Sequence, residues 1–156
     1  MIKVAFYKAN SVNKNYVDTL INIVTGSVGY SHVEIFDPRY NEYFSISGRE
    51  DISRHKYIDE TNGNWTIVEI DNIDITNFEI IDILENKKYD YWNILVFMLP
   101  FLYIDIKDRI ICSSTVTEIL KFNGLIEVAL YPSFRISPNK LFTILERRKD
   151  VRIRYY

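Results

Sequence analysis

Apolar positions along this chain recur with two periods, and each predicts its own elements. IKVAFYK (2–8) alternates in part and predicts a strand. NKNYVDTLINIVTG places Tyr16, Leu20, Ile23 and Val24 on one helical face and closes at Gly26, a fitting C-cap. YSHVEIFD and EYFSIS read as two strands joined by the turn PRYN, and NWTIVEI as a third. ITNFEIIDILENKK has amphipathic helical spacing, with lysines in its last turn where they suit the macrodipole. CSSTVTEILKFNG predicts a helix that opens in small polar residues and ends at Gly124. SPNKLFTILERR begins with Ser137 as cap and Pro138 at the first helical position, and VRIRYY alternates like a final strand. The sum is an α+β fold, an antiparallel sheet with helices packed mostly on one side.

Composition narrows this further. A chain of 156 residues that is 47% hydrophobic suits one domain over 1–156 with a substantial buried core. The formal charge of −2 comes from interspersed signs, which gives no footprint for nucleic acid. The basic stretch ERRKDVRIR reads as a solvated helix end and strand. One cysteine can form no internal disulfide and suggests no multi-thiolate metal site. The first residues read as a strand rather than as an export signal, so a cytoplasmic location is the expectation. YWNILVFMLPFLYI (91–104) is apolar, but Pro100 interrupts it and it is shorter than the roughly twenty residues of a membrane span. It reads as a buried helix, and contact with a membrane surface is not favoured.

The candidate chemistry lies in the single cysteine, Cys112, and the two histidines, His32 and His55. Cys112 falls at the predicted start of a helix, where unpaired backbone N–H groups and the positive end of the macrodipole favour a thiolate. Ser113 and Ser114 follow with small side chains and early-turn amides that can donate to an oxyanion. A thiol nucleophile needs a base, most often imidazole. His32 lies in an apolar strand, whereas His55 lies in a polar, charged stretch and reads as a surface residue. Against this stands the plainer alternative of a small buried cysteine and a satisfied core histidine.

Strand pairing adds an independent point. If PRYN is a four-residue turn, Asp37 faces Glu42, His32 faces Ser47 and Glu34 faces Ser45. All four inner residues then project from one face of the hairpin, a polar patch able to hold an imidazole in one tautomer.

The order SHVEI, a following hairpin strand, YDY opening a helix and then CSS opening another resembles the circularly permuted NlpC-type cysteine hydrolases. These papain-like proteins include the YiiX-like group and, more distantly, lecithin retinol acyltransferase relatives; small phage-encoded members look most similar. The resemblance runs from His32 through ISPNKL at 136–141. It implies a papain-like domain with Cys112 as nucleophile, His32 as base and Ser47 as the residue that orients the ring. The family usually has Glu, His, Asn or Gln where Ser47 stands, and commonly Cys-Ser-Glu where this chain has Cys-Ser-Ser. Tyr89 and Tyr91 match the aromatic segment lining the family's site, with aromatic core as the alternative. Ser113 and Glu34 complete the expected substrate contacts, and Arg49 and Arg54 stand either against an anionic part of a substrate or in solvent.

The implied activity is acyl transfer or hydrolysis at an amide, peptide or lipid-ester bond through a covalent acyl-enzyme, with no metal or other cofactor. The alternative is a papain-like scaffold that binds or inhibits without useful catalysis. No Gly-rich phosphate loop and no Gly-x-Ser-x-Gly elbow occurs in the sequence, so nucleotide hydrolysis and α/β-hydrolase chemistry gain no support.

Overall fold

The computed structural model describes residues 1–9, 29–48, 50–90 and 109–156. Among these, β1 (Ile2–Lys8), β2 (Tyr30–Asp37), β3 (Glu42–Ser47), β4 (Ile52–Lys56), β5 (Trp65–Ile70), β6 (Lys88–Tyr89), β7 (Arg109–Ile110) and β8 (Val151–Tyr155) form one sheet. Its order is β7-β6-β4-β3-β2-β1-β5-β8, antiparallel throughout except for the short parallel pair β6–β7. The helices are α1 (Glu79–Leu84), α2 (Cys112–Phe122), α3 (Ile126–Ala129) and α4 (Pro138–Glu146), with a 3-10 turn at Ser133–Arg135. Mixed α/β architecture around an antiparallel sheet thus agrees with the sequence pattern. The expected helix over 13–26, the apolar run 91–104, Arg49 and Tyr91 lie outside the described residues.

The β2–β3 hairpin has the register that its turn predicts. Asp37 pairs with Glu42, Phe36 with Tyr43 and Ile35 with Phe44. Asp37 caps the turn by accepting from the Arg39 N–H at 3.0 Å, and Asn41 takes the left-handed conformation (φ 55°) that asparagine tolerates better than most residues. Ser45, fully buried, donates its hydroxyl to the Val33 carbonyl at 2.8 Å and so ties the two strands together a second time.

Alternate residues of β1, β2, β3 and β5 (Val4, Phe6, Val33, Ile35, Phe44, Ile46, Val68, Ile70) form the main core with Val116, Ile119 and Leu120 of α2 and Leu141 and Leu145 of α4. Phe6, Tyr30 and Phe142 pack at ring-centroid distances of 4.7–5.3 Å and join α4 to this layer. Ser137 caps α4 by accepting from Lys140 N–H, with Pro138 behind it as predicted. α2 ends at Gly124 (φ +87°), where Leu125 N–H reaches the Leu120 carbonyl and Gly124 N–H that of Lys121. This reciprocal pair needs a left-handed residue. Gly124→Ala is therefore expected to lower stability by about 1–2 kcal/mol in urea denaturation.

Three elements depart from the sequence expectation. ISRHK forms β4, although it lacks apolar alternation; Arg54 and His55 are half-buried through ion pairing instead. The helix expected across ITNFEIIDILENKK is confined to Glu79–Leu84. Its chain turns extended at Glu85 and left-handed at Asn86 (φ 70°), so Lys87 and Lys88 lie beyond the helix and Lys88 enters β6. Tyr89, expected to open a helix, closes that same strand.

Candidate active site

Cys112 is the first residue of α2, and Ile111 before it is extended with no side-chain cap. The opening N–H groups of a helix have no intrahelical acceptor and can serve another oxygen. The sheet brings His32 to this point. Its ring lies near Cys112, eighty positions away in sequence, close enough for the sulfur to act on its charge.

Behind the ring stands a carboxylate. His32 Nε2 lies 3.1 Å from Glu34 Oε1, two residues along the same strand and therefore on the same face. Burial alone would depress the His32 pKa; the contact with Cys112, and after it that with Glu34, outweighs burial and pushes it up to about 10. Imidazolium is thus the form that this site favours at neutral pH.

Glu34 is 1% exposed and does not stand alone. Arg54 Nη2 approaches the same Oε1 at 3.2 Å, and Arg54 Nε pairs in turn with Glu50. From the sulfur outward the groups run Cys112, His32, Glu34, Arg54, Glu50. Glu34 Oε2 and Arg54 Nη1 are buried without a hydrogen-bond partner among the described residues.

Ser47, expected to orient the ring, is buried at the end of β3, where its carbonyl accepts from the N–H groups of Glu50 and Asp51 and turns the chain into β4. The carboxylate that bonds the ring nitrogen is Glu34, expected instead to contact substrate. Ser113 is fully buried with its hydroxyl unpartnered, as is that of Thr117 one turn later. Ser114 donates to the Ser133 carbonyl at 3.1 Å and is committed to packing of the 3-10 turn. Tyr89 is buried in the same cluster as Cys112, with its ring against Gly48, where an added Cβ would fall 2.9 Å from the ring.

His55 is not a surface residue. Its Nε2 lies 3.1 Å from Asp37 Oδ2, and its ring packs between Tyr40 and Phe44 at centroid distances of 4.4 and 4.9 Å. Asp37 is fully buried, which alone would raise its pKa; bonds from Arg39 and His55 hold it below the usual carboxylate value. This second imidazole–carboxylate pair closes the turn end of the hairpin. Among the described residues no group of three or more His, Cys, Asp or Glu side chains is placed to hold a metal ion. No described helix is long and apolar enough to cross a membrane.

Arg54, expected to meet an anionic part of a substrate or solvent, pairs with Glu34 of the protein itself. Once ISRHK is a strand, Arg54 lies opposite Ser45, next to the row that carries Glu34. No protein-family model matches this sequence, and no curated protein matches it.

Proposed function

We propose that this chain is a thiol-dependent hydrolase or acyltransferase of the permuted papain-like kind, with Cys112 as nucleophile, His32 as base and Glu34 as the group that orients the ring. The observation that carries this reading is the nearness of His32 to Cys112 at a helix start, with a buried carboxylate at the ring's Nε2. Sulfur, imidazole and a carboxyl group in sequence are the parts of a nucleophilic triad.

In the proposed reaction the Cys112 sulfur attacks the carbonyl carbon of an amide, peptide or lipid ester. The carbonyl electron pair moves to oxygen, which the N–H groups of the first helical turn stabilise. His32, already carrying the proton taken from the thiol, gives it to the departing amine or alcohol as the C–N or C–O bond breaks. A water molecule, or an acceptor alcohol or amine, then loses its proton to His32 and displaces the thiolate from the thioester. Glu34 keeps the ring in place and stabilises its positive charge in both steps.

A second reading is favoured by the burial of Cys112, a residue only 3% exposed. In it the same scaffold binds or inhibits a partner without turning over a substrate. Incubation with p-nitrophenyl butyrate and p-nitrophenyl palmitate, followed by intact-mass measurement, separates the two. The enzymatic reading expects one acyl group per chain, absent in Cys112→Ser and formed at least tenfold more slowly in His32→Ala. Full-length protein that takes up no acyl group from either ester would leave the scaffold reading in its place.

A further inference from the structure

Cationic charge is unevenly distributed along this chain. Residues 126–156 hold seven of its 19 lysines and arginines but three of its 21 acidic residues, within a molecule whose formal charge is −2. Most arginines of the described residues are neutralised where they stand: Arg39 by Asp37 and Asp82, Arg54 by Glu34 and Glu50, Arg152 by Asp71, and Arg154 by Glu69. A groove of about 450 Å³ between α3 and the end of α4 is different. Its two carboxylates, Glu127 and Asp150, are both taken up by Arg148. Arg147 and Lys149 line the same groove with no ion-pair partner among the described residues, and Lys140 spends its charge over the ring of Tyr131, 4.3 Å from the centroid.

Apolar side chains stand beside these cations instead of underneath them. Ile126 and Leu130, one helical turn apart along α3, are 73% and 76% exposed, and Tyr131 adds a half-exposed ring. A soluble surface gains nothing by holding two aliphatic side chains in water next to unpaired cations. An anionic phospholipid surface satisfies both: the aliphatic groups enter the acyl boundary, the tyrosine sits at headgroup level, and the cations meet phosphate.

We infer that the face formed by α3 and the end of α4, centred on Ile126, Leu130, Tyr131, Lys140, Arg147 and Lys149, docks the protein on an anionic phospholipid surface. The inference does not depend on the reactivity of Cys112. Anionic lipid is preferred over nucleic acid because the apolar centre of the patch would remain uncovered against a phosphate backbone. It is preferred over a second copy of the chain because two such faces would bring like charges together.

The test is sedimentation of the full chain with vesicles of phosphatidylcholine alone or with about 30% phosphatidylserine. Binding is expected on the anionic vesicles, with little on the neutral ones, and is expected to weaken as salt rises. Arg147→Gln and Lys149→Gln should each lower partitioning about fivefold, the equivalent of roughly 1 kcal/mol per cation. Leu130→Glu should lower it further, while Asn72→Asp, at an exposed turn, should leave it unchanged. The Cys112 alkylation rate of each variant, measured without vesicles, should equal that of the unaltered protein and reports its folding. Equal binding to both vesicle types, or binding untouched by these substitutions, would overturn the inference. So would self-association by light scattering that Leu130→Glu abolishes, or capture of a DNA duplex through Arg147 and Lys149.

Discussion

His32→Ala is expected to slow iodoacetamide alkylation of Cys112 by at least tenfold at pH 6.5. In the unaltered protein the ring holds its proton up to about pH 10, so a positive charge faces the sulfur throughout the neutral range. The advantage that this charge gives the sulfur should accordingly persist between pH 6 and 8. Without the imidazole the sulfur loses this neighbour, and the rate should be lower across the same range. The ring can be followed directly, because the chain has only two histidines. Its titration by NMR should have a midpoint near 10, lowered in Cys112→Ser more than in Glu34→Gln, since the sulfur contributes more than the carboxylate to raising it. A rate in His32→Ala that matches the unaltered protein at every pH would remove the imidazole from the chemistry.

Glu34→Gln should be the more damaging of the two candidate changes to the orienting group, reducing alkylation at pH 6.5 about tenfold. Ser47→Ala should change it less than twofold. Glutamine has the shape of glutamate but not the charge that faces both His32 and Arg54. Removing one member of a buried ion pair typically costs 3–5 kcal/mol; with the Arg54 side chain 18% exposed and a second partner in Glu50, about 2–3 kcal/mol is expected by urea denaturation. Arg54→Met in the same background should recover part of that loss, because the uncompensated cation is then gone. If Ser47→Ala slows the thiol and Glu34→Gln does not, the ring is held across the strands and not along its own.

The difference between these two residues shows where sequence patterning ends. The turn PRYN and the alternation around it specify the hairpin register, and Asp37 does pair with Glu42. That register selects a face and the residues on it, but not which of them reaches the ring. A serine hydroxyl is one bond beyond Cβ and spans little of the gap between strands. A glutamate two residues away has enough length to swing its carboxylate to Nε2, and here it does, at 3.1 Å. Strand β4 was hidden for a related reason. Hydrophobic alternation marks a strand that is buried by its apolar side chains, whereas Arg54 and His55 are drawn inward by Glu34 and Asp37. Those partners belong to another strand, so a window moving along ISRHK cannot register them. The helix at Cys112 was legible because both of its ends are written locally, in small polar residues at one end and in Gly124 at the other.

Strand β8 forms one rim of the sheet and pairs only with β5 among the described residues. A rim strand offers a row of open amides and carbonyls on which a foreign strand could grow. Arg152 and Arg154 alternate along it, with Arg154 anchored to the buried Glu69 and Arg152 standing 59% exposed. An incoming strand would have to accommodate these long, ion-paired side chains on its own face, which disfavours growth at this edge.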